Sequence, residues 1–250
     1  MNKRTDKTPA IVLGASGSVG AALVAALLRD ARFDPIIVVA RRPAPEVVAA
    51  AHDAGKTLHE RIVPEMTPAA LEAATVAALD GIEGDVEGFS TLGIGARTGK
   101  ITVAEHRAVD VELNAAFARG LQSSGRVRHL GLMTAIGADP TASETGGGAA
   151  GGARYNRVKG EAEEAVRAVG PSVVSVFRPA MIIGSRHTPG VLEKVVPVFS
   201  FITPKRFKSI TVDQIAKAMI AVAMARPESS AVYHYPEMME AIRRDQASTT

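Results

Sequence analysis

The segment GASGSVG at residues 14–20 restricts the fold of this 250-residue chain more than any other feature. It follows an apolar, strand-like segment at residues 10–13 and opens a segment with helical periodicity. In a strand–loop–helix unit, Gly14 permits the tight turn, Gly17 lets a pyrophosphate approach the backbone, and Gly20 lets the helix pack closely on the strand. The free N–H groups at the helix N-terminus then favour phosphate. The alternative is a plain strand–turn–helix unit.

Short apolar segments alternate with longer amphipathic ones along the chain. Strands are predicted at residues 10–13, 36–40, 58–63, 86–92, 127–133, 173–178 and 232–235. Helices are predicted at residues 18–29, 45–54, 68–79, 103–123, 154–168, 212–225 and 237–244, and a further apolar segment at residues 191–199. Continuous apolar strands separated by helices are typical of a parallel sheet covered on both faces. We therefore predict an α/β protein with a doubly wound parallel sheet (a Rossmann fold). It is expected to form a single domain over residues 1–250, with residues from about 180 as a small C-terminal appendage on the substrate side.

The composition excludes several classes of function. The chain has no cysteine, which excludes disulfides, thiolate nucleophiles and cysteine-based metal sites. The net charge of +3, without a run of five or more Lys and Arg, does not indicate a nucleic-acid partner. No apolar run approaches the roughly 18–20 residues that span a bilayer, and the N-terminus is polar. We expect a cytoplasmic protein without a membrane span.

The histidines do not indicate a metal site. None of the six lies at metal-ligand spacing from another, and no HExxH motif occurs. No metal is predicted, and we expect each of these side chains to lie at the surface or to be satisfied by hydrogen bonds. His187, and Arg186 beside it, follow the sixth predicted strand and could reach a substrate. The six histidines are His52, His59, His106, His129, His187 and His234.

Two arginines follow the second predicted strand. Arg41 and Arg42 lie 21 and 22 residues beyond Gly20, where cofactors without a 2′-phosphate usually meet an acidic residue. Guanidinium groups can instead bind a phosphate through two parallel hydrogen bonds. The sequence therefore predicts NADP(H) rather than NAD(H), and two solvated surface arginines are the alternative.

Two further motifs resemble catalytic loops without matching them. Residues 93–100 read GIGARTGK, but the first glycine is one residue too far from the rest for a nucleotide-triphosphate loop, and Ile101 stands where the metal-binding Ser or Thr belongs. Residues 88–92 read GFSTL, which lacks the closing glycine of a nucleophile elbow. We interpret the second motif as a strand end beside the cofactor.

Tyr155 precedes Lys159 by four residues within the segment ARYNRVKGE. On a helix such a pair shares one face. An ammonium group close to a phenol favours the phenolate, which makes a tyrosine usable as a general acid or base. Thr134 ends the preceding predicted strand, at the edge where open parallel sheets bind ligands. Taken alone, the pair would rather indicate a helix surface; together with Thr134 and the glycine loop it indicates a reaction centre.

The order of these elements resembles the short-chain dehydrogenase/reductase superfamily, over about residues 8–226. Within the superfamily, the chain resembles the atypical branch related to the HIV Tat-interacting protein. The stretches that carry this resemblance are VVARRP, STLGIGART, RAVDVELNAAFARGL, GLMTAIGADP, YNRVKGEAE and VFRPAMIIG. They specify a branch but no substrate.

The resemblance implies a role for each residue of the predicted site. Tyr155 would be the general acid that protonates a carbonyl oxygen, Lys159 would favour its ionised form and bind the nicotinamide ribose, and Thr134 would hydrogen-bond the substrate oxygen. Arg178 and the four residues after it would line the nicotinamide pocket. The residues expected to bind the cofactor are Gly14, Ala15, Ser16, Gly17, Ser18, Val19, Gly20, Arg41, Arg42, Leu92, Gly93, Thr134, Tyr155, Lys159, Pro179, Ala180, Met181 and Ile182.

Two features depart from this pattern. Asp110 stands where many relatives carry an Asn, which questions a proton relay through that side chain. The segment SETGGGAAGG at residues 143–152 lengthens the connection between Thr134 and Tyr155 to 21 residues. It is expected to be either a substrate lid or additional loop length without a function. The carboxylates expected on the solvated face of the Tyr155 helix are Glu161, Glu163 and Glu164.

These observations predict an NADP(H)-dependent oxidoreductase that reduces a carbonyl of a small substrate or oxidises the corresponding alcohol. An alternative is a regulatory protein that senses NADP(H) with little turnover, because fold alone does not guarantee catalysis. A weaker alternative is an epimerase or isomerase that uses the cofactor transiently. A homodimer is possible, since helices beside the fourth and fifth strands pair in relatives.

Overall fold

The computed structural model describes residues 7–145, 147–184 and 204–249. Seven strands form one sheet with the order β3-β2-β1-β4-β5-β6-β9, and all neighbours are parallel. The strands are β1 Thr8–Leu13, β2 Phe33–Ala40, β3 Leu58–Ile62, β4 Val86–Ser90, β5 Val127–Met133, β6 Val173–Phe177, β7 Ile182–Ile183, β8 Ile210–Thr211 and β9 Ala231–Tyr233. Strands β7 and β8 pair with each other in a separate two-stranded sheet. The predicted α/β fold with a doubly wound parallel sheet is confirmed.

Helices cover both faces of the sheet. They are α1 Ser18–Arg29, α2 Pro45–Asp53, α3 Pro68–Ala78, α4 Val103–Arg107, α5 Asn114–Ser124, α6 Ala153–Val169, α7 Val212–Met224 and α8 Tyr235–Thr249. Short 3₁₀ helices lie at Gly95–Lys100 and Lys205–Phe207. The apolar segment predicted at residues 191–199 lies outside the described residues, as do Arg186 and His187.

Alternate residues of each central strand face opposite layers, which builds two cores. In β1, Val12 faces α1, α7 and α8, whereas Leu13 faces α3, α5 and α6. Fully buried side chains such as Met219 and Phe117 fill the two layers. Burying each such side chain contributes about 1.5–3 kcal/mol relative to exposing it. The two layers hold the loops at the carboxyl edge of the sheet in place.

The C-terminal part of the chain belongs to the main sheet. Strand β9 pairs with β6, and α7 packs directly on α1 on the same face of the sheet. Ile215 and Met219 of α7 are fully buried in the first core. Among the described residues from about 180 onward, only β7 and β8 form a sheet of their own. The stretch predicted as an appendage therefore supplies a strand and two helices of the central fold.

The predicted helix at residues 103–123 is interrupted. It begins at Thr102, whose side chain forms a reciprocal capping pair with Glu105. The six residues Ala108–Leu113 then form a π-helical turn between α4 and α5. Such turns insert an extra residue into a helix and occur often at functional sites. Here the turn carries Asp110 into the interior.

Candidate active site

In the glycine loop between β1 and α1, two glycines are in close contact with neighbouring backbone and the third borders open space. Gly14 has φ +89°, and a side-chain carbon added there would lie 2.7 Å from the Leu92 backbone nitrogen. A carbon added at Gly20 would lie 2.1 Å from the Gly14 carbonyl oxygen. At Gly17 it would meet only that oxygen, at 3.4 Å. Gly14 and Gly20 are therefore needed for packing, whereas Gly17 faces open space.

This difference predicts that the same substitution destabilises the protein at one glycine and has little effect at the other. Gly20→Ala is expected to lower the free energy of unfolding by about 1–3 kcal/mol, because the added methyl group meets backbone. Gly17→Ala is expected to stay within about 0.5 kcal/mol of the parent. Urea denaturation followed by circular dichroism measures both. Equal destabilisation by the two substitutions would contradict the geometry.

A cavity of about 660 Å³ opens from this loop over the carboxyl edge of the sheet. Arg41 and Arg42 directly follow β2 and are both exposed, but only Arg41 lines this cavity. Lys100 also lines it. The sequence does not single out Lys100, because the motif GIGARTGK resembles only an incomplete nucleotide-triphosphate loop. The cavity thus places two cations beside an open glycine loop.

A second cavity, also of about 660 Å³, lies beside the first. Both are lined by Gly17, Thr91, Gly93 and Ile94, so they adjoin. The residues that line only the second are Ser18, Val19, Gly95, Met133, Thr134, Ala135, Ile136, Ala150, Gly151, Tyr155, Pro179, Ala180, Met181, Ile182 and Phe207. The second cavity contains Tyr155, and its walls are mainly apolar.

The predicted cofactor residues divide between these cavities. Gly14, Ala15, Ser16, Gly17, Arg41, Leu92 and Gly93 line the first. Ser18, Val19, Thr134, Tyr155 and the run from Pro179 to Ile182 line the second. Lys159 is buried and lines neither cavity, and Gly20 packs within the glycine loop. Among the predicted cofactor residues, only Arg42 is exposed and lines neither cavity.

Lys159 forms a buried ion pair with Asp110. The Lys159 Nζ atom donates to Asp110 Oδ1 at 2.5 Å, and the two side chains are 7% and 1% exposed. The Ile94 backbone N–H donates to Asp110 Oδ2 at 3.1 Å. A side-chain carbon at Gly93 would lie 3.0 Å from Lys159 Nζ and 3.1 Å from Asp110 Oδ1. The pair therefore lies in close contact with the backbone at Gly93, where any larger residue would require it to shift.

Both ionisable groups of this pair are stabilised in the charged state. Burial is the largest single effect on Asp110 and raises its pKa, but the charge and hydrogen bond of Lys159, together with the nearby His106, lower that pKa by more and hold it well below its ordinary value. Burial is also the largest single effect on Lys159 and lowers its pKa, but the charge and hydrogen bond of Asp110, together with smaller contributions from neighbouring groups, raise it by more. The pair is therefore fully charged throughout the neutral range.

Tyr155 contacts both Lys159 of this ion pair and His106. The Lys159 Nζ atom is 5.6 Å from the centre of the Tyr155 ring. The His106 ring stacks on the phenol, with ring centres 5.8 Å apart and planes inclined by 27°. Within the described residues, the Tyr155 hydroxyl has no hydrogen-bond partner. It is therefore available to a ligand in the second cavity.

The expectation that each histidine lies at the surface or is satisfied by hydrogen bonds is wrong for His106. Its side chain is fully buried, and neither ring nitrogen has a hydrogen-bond partner within the described residues. The expectation fails because α4 packs on the N-terminal part of α6, a long-range contact that helical periodicity does not reveal. No sequence signal separated His106 from the other histidines.

The resemblance implies that the Thr134 hydroxyl bonds to the substrate oxygen, whereas in the structure this hydroxyl bonds to another side chain. The Thr134 hydroxyl donates to Glu163 Oε1 at 2.8 Å, and Arg178 donates to both oxygens of the same carboxylate at 2.8 and 2.7 Å. Glu163 is 1% exposed, so its expected place on a solvated helix face is wrong. The Thr134 hydroxyl therefore donates its hydrogen bond to Glu163. The Arg178 side chain points to the same carboxylate rather than into the second cavity.

The glycine-rich segment at residues 143–152 is tied to both neighbouring helices. Glu144 accepts from Arg107 at 2.6 Å, and Arg107 also pairs with Glu161 at 2.7 Å. Arg157 lies 3.3 Å from Glu144. Further along the segment, Ala150 and Gly151 line the second cavity beside Tyr155. The segment therefore forms part of the cavity wall.

A second polar cluster resembles a hydrolase triad but is closed to substrate. His129 Nδ1 lies 2.7 Å from Glu87 Oε2, and His129 Nε2 lies 2.9 Å from Ser175 Oγ. Ser175 is fully buried within β6. A nucleophile without access to a substrate cannot act, so we interpret this cluster as structural. It also satisfies His129, as expected.

Two further properties concern the described part of the chain. Among those residues, no group of three or more His, Cys, Asp or Glu side chains is placed to hold a metal ion. None of their helices combines the length and the apolar character that crossing a membrane requires.

Comparison with known proteins gives structural likeness at low sequence identity. No protein-family model matches the chain, and no curated protein matches it by sequence. A short-chain dehydrogenase/reductase from Serratia marcescens superposes with a TM-score of 0.68 at 16% identity, over 92% of this chain and 98% of that one. L-Sorbose reductase from Gluconobacter frateurii, complexed with NADPH and L-sorbose, gives 0.64 at 15% identity, over 94% and 98%. A 3-oxoacyl-[acyl-carrier protein] reductase from Brucella melitensis gives 0.67 at 15% identity, over 93% and 98%. At such identity the likeness establishes a shared fold.

Proposed function

We propose that this protein is an NADP(H)-dependent oxidoreductase that reduces the carbonyl group of a small substrate, or oxidises the alcohol, with Tyr155 as general acid or base. The observation that carries the proposal is the position of Tyr155. Tyr155 lines one cavity, and among the described residues its hydroxyl has no hydrogen-bond partner, while the glycine loop and Arg41 line an adjoining cavity. Reductases among the structural neighbours, one of them complexed with NADPH, support the same reading.

The first cavity fits the nucleotide end of the cofactor. Gly17 leaves room for the pyrophosphate at the N-terminus of α1. Arg41 would bind the 2′-phosphate, and Lys100 adds a second positive charge in the same cavity. Bound NADPH would supply the hydride for the reduction. The nicotinamide end would then lie toward the second cavity, where the run from Pro179 to Ile182 forms a wall.

Tyr155 would supply the proton that balances the hydride. Its hydroxyl would donate to the carbonyl oxygen as negative charge develops there, which is the ordinary contribution of a positioned general acid. Lys159 lies on the same helical face, 5.6 Å from the phenol ring centre, and would favour the ionised phenol after the proton has left. Thr134 would serve this reaction indirectly, by holding Glu163 and the end of β5.

The body of the substrate would lie against apolar side chains. Met133, Ile136, Met181 and Phe207 line the second cavity. The glycine-rich segment at residues 143–152 would close over the substrate from the side of Tyr155. The resemblance to the atypical branch of the superfamily, a cytoplasmic location and a homodimer are retained as predictions.

A sensor of NADP(H) with little turnover is the second candidate. Two contacts favour it: Asp110 neutralises Lys159, and Thr134 has its hydroxyl proton directed to Glu163. A sensor needs the first cavity but no general acid. Turnover separates the two functions, since both predict NADPH binding.

Transfer of deuterium from [4-²H]NADPH tests the proposed function. The protein is incubated with the labelled cofactor and a panel of aldehydes, ketones and quinones, and the products are examined by mass spectrometry. One deuterium at the former carbonyl carbon is expected for at least one of the aldehydes or ketones, and Tyr155→Phe should abolish it. NADPH binding without transfer to any compound would favour the sensor.

Arg41 and Arg42 provide a matched test of cofactor choice. Arg41→Ala is expected to weaken NADPH binding by about 10- to 100-fold, because a charged hydrogen bond to phosphate contributes about 1.5–3 kcal/mol. Arg42→Ala, at an exposed position, should change it less than about threefold. Isothermal titration calorimetry measures both variants, and NADH binding should be unaffected in each. Equal losses in the two variants would contradict the assignment to Arg41.

A further inference from the structure

His106 lies against the proposed acid and also close to Asp110 of the ion pair. Its ring stacks on that of Tyr155 with centres 5.8 Å apart, and its side chain is completely shielded from solvent. It belongs to α4, which ends at the π-helical turn that carries Asp110. Two consecutive elements of the chain therefore place polar side chains behind the phenol.

Packing alone does not account for an imidazole at this position. Neither His106 nitrogen has a hydrogen-bond partner within the described residues. A buried polar group without a partner costs about 1–3 kcal/mol, whereas a phenylalanine would stack on Tyr155 without that cost. Buried groups of this kind are uncommon and need a specific explanation. The position beside Tyr155 suggests one.

His106 lies beside other buried polar groups. Its Nε2 atom lies 3.6 Å from Asp110 Oδ1, just beyond the length of a direct hydrogen bond and too close for a water molecule to lie between the two atoms. Two more buried polar atoms without partners, Thr98 Oγ1 and Arg154 Nε, belong to the neighbouring 3₁₀ helix and to the N-terminus of α6. The Arg154 side chain itself bonds to the Thr98 carbonyl oxygen. Ordered water typically satisfies such atoms.

We propose that His106 is a positioning residue for Tyr155. Its ring fixes the plane of the phenol, and its Nε2 atom, 3.6 Å from Asp110 Oδ1, links the phenol to the ion pair. The charged group that faces it is Asp110 from the π-helical turn, which in turn pairs with Lys159 from α6. This inference rests on the proposed function, because it assigns His106 to the same reaction centre.

His106→Phe separates the nitrogens from the ring, because phenylalanine keeps the stack. The melting temperature is expected to stay the same or rise, and NADPH binding to stay within about twofold. For a carbonyl that the wild type reduces, kcat should fall about 10- to 100-fold with little change in KM. His106→Gln, which keeps hydrogen-bonding atoms, should recover part of kcat. His52→Phe, at an exposed histidine, is the matched control.

Unchanged kcat in His106→Phe would overturn the inference and leave the proposed function standing. Parallel losses of stability, cofactor binding and kcat would also overturn it, because they indicate a purely structural residue. A wild type that binds NADPH but reduces no carbonyl would overturn the proposed function instead.

A measurement without substrate tests the connection between His106 and Tyr155. Two-bond ¹H–¹⁵N spectra of ¹⁵N-labelled protein report on the imidazole nitrogens of His106. Tyr155→Phe keeps the ring and removes only the hydroxyl, so the His106 nitrogen resonances are expected to move if the two residues are connected. Resonances that stay in place would overturn the inference, whatever the enzyme reduces.

Discussion

Replacing Tyr155 by phenylalanine is expected to lower the turnover of carbonyl reduction by about 10²- to 10⁴-fold, the ordinary contribution of a positioned general acid or base. The hydroxyl has no hydrogen-bond partner within the described residues and faces the second cavity. Its removal therefore breaks no contact of the fold. The stack of the ring on His106 is retained by phenylalanine. Stability and NADPH binding should remain close to those of the wild type.

Steady-state kinetics with the best carbonyl substrate measure this effect. Tyr235→Phe removes the same hydroxyl group from the first residue of α8, outside both cavity linings, and should leave kcat unchanged. The pair of variants separates the loss of a proton donor from the loss of a tyrosine. Full activity in Tyr155→Phe would show that another group supplies the proton.

Replacing Asp110 by alanine is expected to lower the free energy of unfolding by about 3–5 kcal/mol, because removing one partner of a buried ion pair leaves an uncompensated charge. The Lys159 side chain is 7% exposed and donates to Asp110 at 2.5 Å. Without the carboxylate, its ammonium group would face the backbone at Gly93 and the ring of Tyr155. The substitution should therefore also disturb the proposed reaction centre.

Urea denaturation at several pH values measures this loss and its origin. The pKa of Asp110 is lowered by folding, so its contribution is present above its unfolded pKa of about 3.9 and is lost as the pH falls below it. The pKa of Lys159 is raised, so its contribution is present up to its unfolded pKa of about 10.4 and is lost as the pH rises through the folded value. The difference between wild type and variant should stay constant from about pH 5 to pH 9 and shrink in acid. Asp80→Ala, at an exposed position, is the control, and equal stability of wild type and Asp110→Ala at pH 7 would contradict the role of the pair.

Local pattern was sufficient to predict the fold. Strand β5 begins and ends where its apolar run does, and α6 differs from its predicted bounds by one residue at each end. The glycine loop could be placed because its function depends on spacing within one strand–loop–helix unit. The helical period alone placed Tyr155 and Lys159 on one face.

The buried polar residues that surround the candidate site could not be predicted from the sequence. Asp110, His106 and Glu163 are polar residues on helices, and a local pattern treats such residues as solvated. Each is buried because a segment distant in sequence covers it: α6 lies over the first two, and β5 and the end of β6 lie over the third. The π-helical turn added to the difficulty, since it shifts the face on which Asp110 lies.

Calorimetric titration of the wild-type protein with NADPH and with NADH tests whether the first cavity binds the phosphorylated cofactor. Arg41 and Lys100 line the cavity into which Gly17 opens. NADPH is expected to bind at least about tenfold more tightly than NADH, the value of a single charged hydrogen bond to the 2′-phosphate. Equal or tighter binding of NADH, or no binding of either cofactor, would contradict this expectation.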